Sequence, residues 1–215
     1  MTFFDNAYEG TPTWDVGHPQ PAVLRLAVAG RLGGTILDVG CGTGEDAIRL
    51  ATFGHRVLGV DLARAAIERA RAKASARGSV AEFLVHDAFE LASLGRRFDT
   101  ALDVGCFHTL QPADRTRYSA SLAAAVRPGG RAFILCWSDR NPFGYGPERI
   151  SRSAIRRSFR DGWTIEGIEP ERLESRLPGG SVHAWLACLR RESEPMAAAT
   201  EHSARSAPPG SAGQR

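Results

Sequence analysis

Lysine is nearly missing from this chain: among 27 basic residues only Lys73 is not an arginine. Set against 24 acidic residues, they leave a formal charge of +3, too slight a surplus to point to nucleic acid or a membrane surface as a partner. Cysteine is scarce too. Cys41, Cys106, Cys136 and Cys188 are scattered, with no C-x-x-C pair and no histidine at ligand spacing, which argues against a zinc site or a disulfide framework and for small, buried, reduced thiols. No cluster of carboxylates suggests a metal. No apolar run approaches the roughly 20 residues of a membrane-spanning helix, and the opening MTFFDNAYEG lacks the basic start and apolar core of a secretory signal, so the cytoplasm is the expected place. Internal repeats are absent as well. What remains, 215 residues of which 43% are hydrophobic and 24% charged, reads as one soluble domain with a full core.

The chain is organised around residues 35–48, TILDVGCGTGEDAI. Thr35-Ile36-Leu37-Asp38-Val39 has the β-branched, apolar character of a buried parallel strand. It breaks at Gly40-Cys41-Gly42-Thr43-Gly44, and Ala47, Ile48 and Ala51 then recur on one helical face. Strand, glycine turn and helix form the ligand-cradling corner of a doubly wound α/β sheet, where glycine lets the backbone come close and adopt positive φ. The helix start offers N–H groups to an anionic group. A dinucleotide fingerprint beginning at Gly40 would need Gly or Ala at position 45, and Glu45 there would repel a pyrophosphate. Asp38 before the glycines and Asp61 at the end of the next strand suit a ligand with an amine and ribose hydroxyls but no phosphate.

LDVGCGTG at 37–44 resembles, residue for residue, motif I of the class I S-adenosylmethionine-dependent methyltransferases. The resemblance covers about residues 12–190 and implies an α/β, Rossmann-like, doubly wound seven-stranded sheet with an antiparallel C-terminal edge strand. It implies S-adenosylmethionine held by Asp38, Gly40, Cys41, Gly42 and Gly44, with Asp61 on the ribose hydroxyls and Leu62 beside it. Asp61 is equally suited to cap the helix that follows. In His86-Asp87-Ala88-Phe89, Asp87 would accept from the adenine amino group, with Ala88 on the ring and Phe89 at its edge; an ordinary turn aspartate is the alternative. Asp103 and Val104 end the fourth strand, where the chain crosses beneath the methionine part of the cofactor.

Upstream, Trp14-Asp15-Val16-Gly17-His18-Pro19-Gln20-Pro21 is similar to the W-x-x-G-x-P-Q-P segment of a subgroup of small-molecule methyltransferases acting on quinones, heterocycles, thiopurines and thiols. There the Trp covers the cofactor, so residues 1–20 are expected to form a lid, with Phe4 and Tyr8 facing the acceptor. Packing of these aromatics on the sheet edge is the competing reading. After the fourth strand, Cys106-Phe107-His108 resembles the subgroup's motif IV; Phe107 and His108 are expected at the acceptor, His108 as its base or only as a shaper of the pocket. Trp137 and Phe143, with Tyr145, would wall an apolar pocket or merely pack.

The expected activity is transfer of a methyl group from S-adenosylmethionine to an oxygen, sulfur or nitrogen atom of a small, aromatic or heterocyclic molecule, with thiols a live option. Two rivals stand beside it. One is an NAD-dependent oxidoreductase. The other is an RNA methyltransferase or RNA-binding module using Arg149, Arg152, Arg156 and Arg160, which fall on one face if a helix spans them; a solvated helix face is the preferred reading of that stripe. The partner is thus a small-molecule acceptor, with no nucleic acid and no membrane. Pro128-Gly129-Gly130 is expected as a turn before a strand at 131–137, and 163–168 and 182–189 as the antiparallel pair. The domain itself is placed at 21–191, and residues 192–215, poor in apolar side chains, as a disordered tail.

Overall fold

The computed structural model describes residues 3–144 and 146–193; Tyr145 and nearly all of the expected tail lie outside them. The sheet has seven strands, β1 (Thr35–Val39), β2 (Arg56–Asp61), β3 (Glu82–Val85), β4 (Phe98–Val104), β5 (Val126–Trp137), β6 (Trp163–Glu174) and β7 (Ser181–Arg191), in the order β3-β2-β1-β4-β5-β7-β6. β1 to β5 are parallel and β7 runs antiparallel to both β5 and β6. The antiparallel strand therefore sits one place inside, and β6 forms the outer edge.

Alternation along β1 sorts the two faces of the sheet. Leu37 and Val39 join the apolar layer under α5 (Arg115–Ala125) and α6 (Arg152–Ser158), with Tyr118, Leu122, Ile155 and Phe159. Ile36 faces the other way, under α2 (Pro21–Val28), α3 (Glu45–Thr52) and α4 (Arg64–Ala76), with Val23, Ile48 and Ile67. Proline opens α2, where its missing N–H costs nothing. A short α1 (Phe3–Ala7) precedes it. Because β2 and β4 flank β1 on opposite sides, the chain leaves β1 and β4 in opposite directions, and a crevice opens at their carboxyl ends.

Two local expectations change. Pro128-Gly129-Gly130 is not a turn before a strand but part of β5, absorbed by a register shift in which Phe98 pairs with Val126 and Thr100 with Arg131. Gly130 is needed there, since a Cβ would stand 2.8 Å from the Asp99 carbonyl oxygen. The arginine stripe also dissolves. α6 covers only Arg152–Ser158, so Arg149 and Arg160 lie outside it.

One buried acid fixes the chain beyond β4. Asp103, 0% exposed, accepts the N–H of Cys106 at 2.8 Å and of Phe107 at 3.0 Å, and the Tyr118 hydroxyl donates to it at 2.6 Å. That turn carries His108 into the crevice. Tyr118→Phe removes a charge-assisted hydrogen bond without changing the ring, and is expected to lower stability by about 1.5–3 kcal/mol in urea unfolding at neutral pH.

Candidate active site

At the head of the crevice Gly40, Gly42 and Gly44 have φ of 68°, 52° and 81°, the left-handed region that glycine enters without strain. Space is short as well. A Cβ on Gly40 would stand 2.8 Å from that of Cys106, and one on Gly42 would stand 2.9 Å from the Tyr8 hydroxyl. The Asp61 carboxylate bridges this turn to the start of α4, accepting from Gly42 N–H at 2.9 Å and from Ala63 N–H at 2.8 Å. It therefore serves the helix start and the glycine turn together, with Leu62 half exposed beside it. Asp87 accepts the Phe89 N–H at 2.8 Å in a tight turn, and Ala88 and Phe89 are half-buried against the core. Arg117 lies over the Phe89 ring, 4.7 Å from its centroid.

Acids crowd this corner. Asp38 is buried, and its carboxyl is pushed well up, first by loss of water and then by the negative charges of Asp46, Asp103 and Asp61. Asp46 is raised in the same way by burial, although the Gln20 N–H donates to it at 2.8 Å. Asp103 rises to about 6 through burial, against its hydrogen bonds. Asp38 also takes the Ala47 N–H, so the start of α3 already holds one of the protein's own carboxylates where a phosphate would bind. This replaces the role expected of Glu45. Its carboxylate turns away to α4, where Lys73 at 2.8 Å and Arg77 at 2.6 Å hold it and draw its pKa down despite burial.

The N-terminal segment is laced across the crevice. Trp14 Nε1–H donates to the Tyr8 hydroxyl at 3.0 Å, and Phe4 and Tyr8 meet the Trp14 ring edge-on at 6.4 and 6.2 Å. Tyr8 packs on Ala63 and Ala66 of α4, which puts Phe4 and Tyr8 over the Gly42 and Asp61 end of the crevice rather than beside His108. Thr43 Oγ1 donates to Asp15 at 3.0 Å, and Arg176 donates to the carbonyls of Thr13 and Asp15 at 2.7 and 2.6 Å. The Gln20 amide clasps the Glu174 backbone in both directions. Asp15, Gln20, Asp46 and Arg176 were missed in the sequence. Gln20 alone had a signal, its place in the W-x-x-G-x-P-Q-P segment.

Several expected site residues move. Phe107 is fully buried between Tyr118 and Phe159, so it is a core residue and no pocket wall. Phe143 is 97% exposed and walls nothing. The Asp103 side chain is used up within the protein, leaving only the backbone of Asp103 and the half-buried Val104 at the crevice. His108 accepts the Trp137 backbone N–H on Nδ1 at 3.0 Å, and burial, then the charge of Arg115, push its pKa down to about 4. An imidazole whose lone pair is taken in this way does not act as a general base. No group of three or more candidate metal ligands occurs among the described residues.

The glycine cradle and a set of buried acids with raised pKa fit a cationic nucleoside. A cation binds the ionised acids, so its binding releases protons, and affinity is expected to fall as pH drops through about 7 and about 6, where Asp46 and Asp103 take up a proton. Calorimetry with S-adenosylmethionine should show this loss, and S-adenosylhomocysteine, which lacks the sulfonium charge, should show a shallower one. Equal slopes for the two would disprove the electrostatic account.

Residues 36–130 match the family model of a methyltransferase domain. The 2-heptyl-1-hydroxyquinolin-4(1H)-one methyltransferase of Mycobacteroides abscessus is 33% identical over 188 residues, 82% of each chain. A protein solved in connection with the conversion of a disulfide bond into a thioacetal group during echinomycin biosynthesis is 40% identical, with a TM-score of 0.81 over 88% of this chain and 91% of that one. The 1,6-didemethyltoxoflavin-N1-methyltransferase of Burkholderia thailandensis, solved with S-adenosylhomocysteine, is 27% identical, with a TM-score of 0.63 over 80% and 77% of the two chains. A glycine corner ringed by acids, and a relative one-third identical over four-fifths of both chains, lead to one conclusion: the chain belongs to the class I S-adenosylmethionine-dependent methyltransferases, with S-adenosylmethionine as its methyl donor.

Proposed function

We propose that the chain methylates an oxygen, sulfur or nitrogen atom of a small aromatic, heterocyclic or thiol acceptor, in a crevice closed by residues 3–20. The observation that carries this reading is the lacing of residues 13–20 to α3, to the glycine turn and to the end of β6, which lays the segment across the crevice. In this reading Gly40, Cys41, Gly42 and Gly44 lie against the cofactor through their backbone. Asp61, with Leu62, serves the ribose; Asp87, Ala88 and Phe89 serve the adenine; Asp38, Asp103 and Val104 lie toward the amino-acid end. Trp14, Phe4 and Tyr8 form the roof. The relatives' names, a hydroxyquinolinone and a toxoflavin precursor as substrates and a sulfur conversion in a third case, support a small acceptor.

S-adenosylmethionine supplies a methyl group already activated on a sulfonium. The chain's own work is therefore to align the acceptor and keep water out. The basic stripe gives the RNA reading no support. Arg149 donates to the carbonyls of Pro142 and Pro147, Arg152 lies 4.2 Å over the Trp185 ring, and Arg160 pairs with Asp161.

Labelled cofactor offered with phenols, quinols, thiols, N-heterocycles and RNA should mark one of the small molecules; label in RNA alone would overturn the reading. Trp14→Ala and Asp15→Ala are each expected to weaken S-adenosylhomocysteine binding about tenfold by calorimetry, as loss of one or two well-made contacts would. Unchanged affinity in both variants would remove the lid.

A further inference from the structure

At the ends of β4 and β5, two side-chain N–H groups have no acceptor among the described residues. The first belongs to His108. A backbone N–H can only donate, so the contact from Trp137 at 3.0 Å fixes a lone pair on Nδ1 and puts the proton of the neutral ring on Nε2. Burial and the Arg115 charge keep the ring neutral at physiological pH. Nε2 has no partner among the described residues, and this outer edge of the ring faces Gly105, 3.7 Å from where a Cβ would stand. The second belongs to Trp137. Its indole is 8% exposed, meets the imidazole edge-to-face at 6.2 Å, and its Nε1–H is buried without a partner. A buried donor left unpaired costs stability, and such groups are rare unless something outside the chain pairs them.

Two arginines stand close by. Arg115, on α5, is 6% exposed in its side chain, and its Nε is also buried without a partner. Its one acidic partner, Glu148, is half exposed, so water screens that charge more than it screens the arginine. Arg149 lies over the Trp137 ring at 5.1 Å. Of the other titratable groups, Asp103 is committed to Tyr118 and two N–H groups, Asp139 accepts from the Trp185 Nε1–H at 3.1 Å, and burial holds the thiols of Cys106 and Cys136 neutral.

We propose that the Nε2–H of His108 and the Nε1–H of Trp137 form a two-donor cradle for an anionic methyl acceptor, so that the enzyme takes hydroxyl or thiol acceptors already ionised near neutral pH and uses no general base. The proposal rests on the methyl-transfer reading above. The acceptor has given its proton to solvent before it enters. Its electron pair forms the bond to the methyl carbon, the carbon–sulfur bond breaks, and that pair stays on the sulfur. No proton has to move within the site. His108 and Trp137 then select the acceptor by charge, and Gly105 brings no side chain against the imidazole, where a Cβ would stand 3.3 Å from Cε1.

4-Nitrophenol is a suitable probe, because its anion absorbs visible light and its neutral form does not. Added to the complex of the protein with S-adenosylhomocysteine, it is expected to bind as the anion, with its ionisation moved to lower pH by about one unit, a tenfold preference for the charged form. His108→Ala should weaken this binding about tenfold and Trp137→Phe several-fold. His108→Gln offers an oxygen to the Trp137 N–H and an N–H to the probe but cannot take up a proton, so it should recover most of what His108→Ala loses, in binding and in turnover alike. Thermal unfolding of each variant checks that it is folded, and the two milder variants decide the matter if His108→Ala is not.

Turnover should follow the acceptor's own ionisation, with 4-nitrothiophenol methylated and 4-methylphenol left alone at neutral pH. A His108→Gln enzyme as inactive as His108→Ala but with unchanged probe binding would make His108 a base and overturn the proposal. Methylation of 4-methylphenol as fast as that of 4-nitrothiophenol would also overturn it. So would failure of 4-nitrophenol to bind while S-adenosylhomocysteine binds; failure of S-adenosylhomocysteine itself would instead unseat the methyl-transfer reading.

Discussion

Carboxylates are packed at the carboxyl ends of β1, β2 and β4, and among the described residues no lysine or arginine pairs with Asp38, Asp46 or Asp103. Asp38, Asp61 and Asp103 come from three adjacent strands, and Asp46 from the first turn of α3. Each gains backbone or side-chain hydrogen bonds, yet for Asp38, Asp46 and Asp103 burial outweighs them and the carboxyl is pushed up. The only lysine, Lys73, pairs with Glu45 and donates to the Thr43 hydroxyl at 2.6 Å, and Arg77 pairs with Glu45. Buried acids held in this way favour a positively charged ligand, and a sulfonium nucleoside is one. The same acids disfavour a pyrophosphate, because the start of α3 already holds the Asp38 carboxylate.

The backbone around that corner is arranged so that one carboxylate does two jobs. Asp61 ties the glycine turn to the start of α4, and Asp103 ties the chain after β4 to α5 through Tyr118. Residues 13–20 add a third tie, since Asp46 takes the Gln20 N–H and Asp15 takes the Thr43 hydroxyl. Cofactor corner and roof are thus joined by hydrogen bonds rather than by apolar packing alone. Such contacts are lost and remade at small net cost, which suits the opening and closing of the proposed roof.

Arg115 and Arg149 lie near His108 and Trp137, whose side-chain N–H groups point their positive ends outward from neutral rings. In the proposed arrangement acids face the cofactor while N–H donors and two arginines face the acceptor, which suits reactants of opposite charge. In a water-poor crevice such fixed charges and dipoles act more strongly than they would in solvent.

The order of elements, the glycine corner, Asp61 at the end of β2 and the helix starting at Pro21 were all legible in the chain, because each rests on contacts within a few residues or on simple periodicity. Spacing alone also brought Asp38, Asp61 and Asp87 to one sheet edge, since parallel strands deliver their carboxyl ends to the same side. Tertiary structure decided the rest. Phe107 and Phe143 are both aromatics in loops at the crevice edge, and only packing makes one a core residue and the other 97% exposed. Glu45 turned from the glycine turn to Lys73 and Arg77 because α4 passes beside it, and the arginine stripe came apart because α6 is short. The proton on His108 was set by a backbone N–H from position 137, far along the chain. Local sequence determines which atoms reach the sheet edge; which of them keep a free lone pair, a free proton or an uncompensated charge depends on distant partners that meet only in the folded chain.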